Sequence, residues 1–265
     1  NPPVINPGTD VTVAGNRFRQ YYYGGNGRLF LELSRRTAVE LGGGVTFYDP
    51  KLAGVLSYRT WTADGGVTEA LSETAKVGAE VVYSHIDYRH QIAGDTDSIS
   101  PRATANLTLS EKWTLTGNAG VAFVSTKQAV GPSIKNTGFV GTATLCNQGE
   151  TVKTCLLASR GYEPTALAGV STVTSISLQQ DWRFSDRDTL NLSGRYGETD
   201  QPAISVIQFG ANHGKLVTAT ASYARQLTER LFFVVTPQFE KAWGLVVYRR
   251  ANYELAGTLR YRFGE

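Results

Sequence analysis

Near its end the chain alternates strictly. Ala251, Tyr253, Leu255, Gly257, Leu259, Tyr261 and Phe263 share one parity, and Arg250, Asn252, Glu254, Ala256, Thr258, Arg260 and Arg262 the other. Successive side chains of a β-strand point to opposite faces, so this run predicts a strand with one apolar and one polar side. The pattern returns in Ala103, Ala105, Leu107 and Leu109 against Arg102, Thr104, Asn106 and Thr108. It appears again in Leu29, Leu31 and Leu33 against Arg28, Glu32 and Ser34, and in Leu190, Leu192 and Tyr196 against Asn191, Ser193 and Arg195. Runs of about ten residues are the length a tilted strand needs to cross a bilayer.

One kind of short link recurs between runs: Leu33-Ser34-Arg35-Arg36-Thr37, Leu109-Ser110-Glu111-Lys112-Trp113, Phe184-Ser185-Asp186-Arg187-Asp188 and Leu227-Thr228-Glu229-Arg230-Leu231. An apolar residue, a hydroxyl and a charged pair ahead of a new alternating run read as a hairpin turn. Other links, such as 90–98, 128–136 and 200–213, are longer or richer in Gly, Asp and Asn. Strands are expected near 11–23, 27–35, 37–49, 52–62, 74–89, 99–109, 113–127, 137–146, 153–160, 167–184, 188–199, 215–227, 230–243 and 250–263. That makes about fourteen, with about twelve or sixteen as alternatives, an even number as bacterial barrels require. The four tight turns then share one end with both termini, and residues 63–73 make a longish link there.

The expected fold is all-β: a transmembrane, antiparallel, up-and-down β-barrel over residues 11–265, preceded by a periplasmic lead-in over 1–10. The bland alternative, a soluble sandwich or propeller, would use shorter strands and more Ile and Leu. Aromatic residues gather at the expected strand ends. Trp61, Trp113, Trp182, Phe184, Tyr261 and Phe263 fall at the periplasmic side, and Tyr21 to Tyr23, Phe47, Tyr48, Tyr88 and Trp243 at the outer side, as interfacial girdles do.

Composition adds limits. No apolar run is long enough for a transmembrane helix. The chain has 265 residues, no Met, and opens on Asn1-Pro2-Pro3, which fits a product whose targeting peptide has been removed. A net charge of +3, spread along the chain, gives no sign of a nucleic-acid partner. Cys146 and Cys155 bracket a polar segment and form either a disulfide in an oxidising compartment or two free thiols.

Candidate chemistry lies on the polar faces. The pore-lining set is Arg28, Glu32, Glu40, Arg59, Glu80, Arg102, Arg183, Arg195, Arg250, Glu254, Arg260 and Arg262, joined by Asp181 and Glu240. A lipid-facing charge at the bilayer midplane costs about 2–4 kcal/mol, so these side chains are expected in the lumen. They either select a polar solute or pair across strands as braces. No phosphate loop, metal cluster or nucleophile motif appears, and neither a cofactor nor a metal is expected. His85-Ile86-Asp87 and Asn212-His213 resemble the rim residues of the omptin proteases, but no Asp stands beside His213 in sequence. Enzymatic activity is therefore not expected.

The turns, the Gly-rich alternating strands and the ending Leu259-Arg260-Tyr261-Arg262-Phe263 resemble Gram-negative outer-membrane barrels in general. In that resemblance Leu259, Tyr261 and Phe263 are the signal read by the barrel-assembly machinery, although Gly264 and Glu265 follow them. Leu33-Ser-Arg-Arg-Thr and Phe184-Ser-Asp-Arg-Asp-Thr are similar to segments of the β-barrel porins found with exopolysaccharide gene clusters. That second resemblance implies a conduit for secreted polysaccharide, set in outer-membrane lipid and working with periplasmic export proteins. The alternative is a non-conducting barrel that anchors a larger envelope or secretion complex.

Overall fold

The computed structural model describes residues 19–51, 56–88, 93–128, 132–164, 170–200, 213–244 and 251–261, apart from the side chains of Gln20, Ala93 and Gln128. Among these it has thirteen strands: β1 Gln20–Glu32, β2 Thr37–Pro50, β3 Tyr58–Ala70, β4 Ala75–Tyr88, β5 Ala93–Thr108, β6 Trp113–Gln128, β7 Ile134–Gln148, β8 Val152–Pro164, β9 Val170–Arg183, β10 Asp188–Asp200, β11 His213–Gln226, β12 Leu231–Trp243 and β13 Asn252–Tyr261. They form one sheet in chain order, each antiparallel to the next. This is the expected all-β up-and-down architecture.

Tight links join each odd strand to the even strand after it, at 33–36, 71–74, 109–112, 149–151, 184–187 and 227–230. The hydroxyl in the repeated motif explains the motif. Ser34 Oγ accepts the backbone N–H of Arg36 and of Thr37, Ser110 and Thr228 accept the corresponding pair in their turns, and Ser185 accepts that of Arg187. Such a bond holds the backbone in a turn that a strand ladder would otherwise pull straight. Ser72 accepts from Thr74 and makes a further member of the set.

Several expectations change. The ranges 11–23 and 27–35 are not separate strands, because β1 keeps continuous register with β2 from Gln20↔Pro50 to Glu32↔Ala38; residues 11–18 lie outside the described residues. Gly24-Gly25-Asn26, read as a break, is strand interior. A Cβ on Gly24 would strike the carbonyl oxygen of Val45, so glycine here serves a close backbone approach. Likewise Asp64-Gly65-Gly66 lies inside β3, and the supposed long link at 63–73 is a tight turn. Trp61 therefore moves to the end that carries the long connections. β1 also starts at that end, not with the tight turns, so β1 and β13 run in the same direction.

The faces are distributed inside out relative to a soluble protein. Leu31, Val81, Ile99, Phe139, Leu178 and Leu255 are all exposed and all on one face. A soluble monomer does not leave so large a contiguous apolar surface in water. Each such side chain gains about 1.5–3 kcal/mol when covered by hydrocarbon. All four tryptophans lie on this face: Trp113 and Trp182 toward the tight-turn end, Trp61 and Trp243 toward the other.

The polar face is concave. At the long-connection end, Ile86 and Tyr88 of β4 pack against Val170 of β9, with Leu56, Tyr58 and Tyr162 around them. Strands so far apart in sheet order meet only if the sheet curls toward that side. The β7–β8 ladder stops at Gly141↔Arg160 although both strands continue. Beyond that point β8 and β9 turn inward: Val170 and Ser171, neighbours pointing opposite ways, are 6% and 1% exposed. Tyr162 then lies on Ala122, Val124 and Val140 of the β6–β7 wall.

Candidate functional site

The concave face carries a belt of charge across β1 to β5, set by register. Arg28 and Glu40 stand diagonally across β1 and β2, with Nη1 2.6 Å from Oε1. Gly66 of β3 is the direct partner of Glu40 on one side and Glu80 on the other, and Asp64 is the partner of Gly42. Glu80 faces Arg102 across β4 and β5, with Oε1 3.8 Å from Nη1. The belt thus reads Arg, Glu, Asp, Glu, Arg, with its two cations already engaged. Around it stand Thr104, Asn106, Thr116 and Asn118, which offer hydroxyl and amide groups to a solute.

On β9 to β13 the same face is more sparsely charged. Arg195 has Ser177 and Thr218 as its register partners, and among the described residues no carboxylate lies in ion-pair range of it. Asp181, Glu240, Glu254 and Arg260 share its face through the continuous ladder, and Glu254 and Arg260 lie on the exposed edge strand β13. Arg183 is also on this face but at the tight-turn end, 3.5 Å from Asp186 in an exposed pair of little energetic weight. Glu32 shares the face of Arg28 at the end of β1.

Arg59 is the exception among the expected pore residues. Its register partner is Phe47, and it lies on the apolar face near the long-connection end. Its Nη2 is 2.6 Å from Asp87 Oδ2, and its guanidinium sits over the Trp61 and Phe47 rings at 5.3 and 6.0 Å. The cost of a lipid-side charge falls to about 0–1 kcal/mol near the interface, and stacking on aromatic rings offsets it further. Arg250, Arg262 and Phe263 fall outside the described residues. Leu259 and Tyr261 are on the apolar face of β13.

Cys146 and Cys155 form a disulfide and are direct register partners on β7 and β8, next to the 149–151 turn. The concave parity also places them in line with Thr114 of β6.

Among the described residues, two His–Asp pairs lie at the long-connection end, and sequence spacing conceals both partners. His85 Nδ1 is 2.8 Å from Asp97 on β5, and His213 Nδ1 is 2.5 Å from Asp200 on β10. The second pair corrects the expectation that His213 has no acid beside it. Glu198 joins it to make a three-residue group of possible metal ligands, where no metal cluster was expected. Both pairs lie on the apolar parity of their strands, so they do not converge across the concave face as a hydrolytic rim site would need. Only strand pairing reveals these partners; Asp64 escapes the sequence reading for another reason, because its Gly-rich surroundings read as a link and not as β3.

No protein-family model and no curated protein sequence matches the chain. Among solved structures, the FrpB iron transporter of Neisseria meningitidis (F3-3 variant) is similar over 92% of this chain and 49% of its own, with a TM-score of 0.65 at 11% identity. The copper transporter OprC is similar over 93% of this chain and 58% of its own, with a TM-score of 0.58 at 9% identity. The siderophore receptor PiuA of Acinetobacter baumannii gives a TM-score of 0.51 at 12% identity, over 85% of this chain and 47% of its own. The chain spans about half the length of these transporters, and what it shares with them is the fold.

Proposed function

We propose that this chain forms transmembrane wall of a Gram-negative outer-membrane channel and conducts a polar solute along its concave face. One observation carries the reading: apolar side chains are exposed on the convex side, while charged and hydroxyl side chains gather on the concave side. Lipid covers the first, and water with solute fills the second. The fold shared with outer-membrane transporters supports the same placement. Leu259 and Tyr261 on the lipid side of β13 suit recognition by the assembly machinery during insertion.

For the solute, we favour a hydroxyl-rich chain bearing acidic groups, such as a secreted polysaccharide handed on by periplasmic export proteins. Ser, Thr and Asn line the wall, and Arg195 offers an unpaired planar cation for a carboxylate. A second reading, uptake of a metal complex, draws support from the iron and copper transporters that share the fold. An anchoring, closed barrel draws support from the inward-turned ends of β8 and β9, which narrow the concave side.

Single-channel recording of the purified chain in planar bilayers separates the three. Steady conductance with block by an acidic oligosaccharide is the expected result. Block by a ferric complex alone would transfer the assignment to metal uptake, and a silent bilayer would favour the anchor.

A further inference from the structure

The strand ends at the 201–212 connection hold a donor set that the channel reading does not use. Glu198 and Asp200 are two residues apart on β10, so both point to one face, and His213 is the direct register partner of Asp200 on β11. One ligand atom from each lies within 4.8 Å of the other two. His213 is exposed, and Glu198 and Asp200 are half-exposed.

The His85–Asp97 pair is the natural comparison, because it lies at the same end and on the same face. Its potential third ligand is Asp87, two residues from His85. Asp87 is held by Arg59 at 2.6 Å, and Asp97 is further tied by the Tyr83 hydroxyl at 2.7 Å. Glu198, by contrast, meets Lys215 only at 3.6 Å and the Tyr196 hydroxyl only at 3.4 Å. One pair has its third carboxylate locked by a guanidinium; the other has it loosely held and within reach.

We propose that Glu198, Asp200 and His213 bind a late first-row divalent cation at the long-connection rim. One imidazole nitrogen and two carboxylate oxygens make three protein ligands, with the remaining positions left to water or to an incoming ligand. A nitrogen donor in the set favours Zn2+, Cu2+ or Ni2+ over Mg2+ or Ca2+, which take oxygen alone. The ion replaces the His213–Asp200 hydrogen bond and draws Glu198 away from Lys215. It sits on the outward side of the rim, apart from the charged belt, so this assignment stands whether or not the barrel conducts.

The test uses the full chain, without a histidine tag, folded in detergent micelles. Calorimetric titration with Zn2+ should show one site; H213A and D200N should weaken it about tenfold or more, while H85A leaves it unchanged. With Cu2+, the paramagnetic resonance spectrum should carry coupling to one imidazole nitrogen that H213A removes. D200N keeps a hydrogen-bonding group beside His213, and heat-modified gel mobility reports that each variant is folded. Absence of Zn2+ binding by the wild-type chain would overturn the assignment. So would an H213A affinity equal to wild type, a loss in H85A as large as in H213A, or displacement of Zn2+ by an equal concentration of Ca2+.

Discussion

Glu80 and Arg102 face each other across β4 and β5 at 3.8 Å on the concave side, each less than one-third exposed, whereas Arg195 on the same face has Ser177 and Thr218 as register partners and, among the described residues, no carboxylate in ion-pair range. The arginines of this wall are therefore not equivalent. Replacing Arg102 by Gln strands Glu80 on a half-buried wall and should cost about 1–2 kcal/mol. Replacing Arg195 by Gln removes a cation that no acid among the described residues holds, so stability should stay within about 0.5 kcal/mol while ion selectivity shifts toward cations. Urea unfolding followed by tryptophan fluorescence, with reversal potentials in a salt gradient, reads both quantities. Equal destabilisation by the two changes, with no shift in reversal potential, would make both residues simple braces.

The alternation that reveals the two faces is legible in the sequence because lipid and lumen impose opposite polarity on adjacent residues. Arg28, Glu40, Arg102 and Arg195 could therefore be assigned to one face from parity alone. What parity cannot supply is the partner across the ladder. The approach of Asp200 to His213 and of Asp97 to His85 depends on register, which the hydrophobic pattern fixes only modulo two residues. Glycine misled in the other direction. Gly24-Gly25 and Gly65-Gly66 carry turn composition, yet in these strands they sit mid-ladder, where a Cβ on Gly24 or Gly66 would strike a facing carbonyl oxygen and one on Gly65 would press on Leu41. Arg59 departs from the lumen expectation because the midplane cost does not apply next to Trp61, where the position is interfacial.

The adjacent pair Val81 and Val82 tests the faces with one chemistry. Val81 is exposed on the apolar side at the middle of β4, while Val82 is the register partner of Asp64 on the concave side. Val81→Arg should destabilise the folded barrel in lipid by about 2–4 kcal/mol, and Val82→Arg should be tolerated beside Asp64. Equilibrium unfolding in lipid vesicles measures both. Similar costs for the two would remove the distinction between a lipid face and a water face. Cysteines placed at Thr104 and Asn106 should likewise react with a water-soluble reagent in intact membranes, and one at Leu107 should not.

The disulfide is expected to act locally. Cys146 and Cys155 are nine residues apart and already juxtaposed by the hairpin, so the ladder restricts the loop before the bond does. Chain-entropy reasoning for a loop this short gives about 2–3 kcal/mol as a ceiling. The double C146S/C155S variant should insert and migrate as a folded barrel, with its loss of stability below that ceiling. Thiol titration of the denatured wild-type chain should find no free thiol before reduction and two after it. Two free thiols before reduction, or failure of the double variant to fold, would contradict a local role.

Tyr162 and Gly138 give the sharpest test of the inward turn at the long-connection end. A Cβ on Gly138 would fall within contact distance of the Tyr162 hydroxyl, so the ring tip occupies the space that a side chain on β7 would fill. The rest of the ring lies against Ala122, Val124 and Val140, and beside Ile86, Tyr88 and Val170. Gly138→Ala should therefore cost about 1–3 kcal/mol by overpacking, and Tyr162→Ala about 3–5 kcal/mol by loss of burial. In the Tyr162→Ala background the added methyl meets no ring, so Gly138→Ala should become nearly neutral, and the double-mutant cycle should show coupling of at least about 1 kcal/mol. The same Tyr162→Ala change removes bulk from the narrowed concave side and should raise single-channel conductance, while Gly138→Ala alone should not. Additive energies would mean that the ring does not lie over Gly138. An unchanged conductance in Tyr162→Ala would mean that the inward-turned ends of β8 and β9 do not set the width of the path.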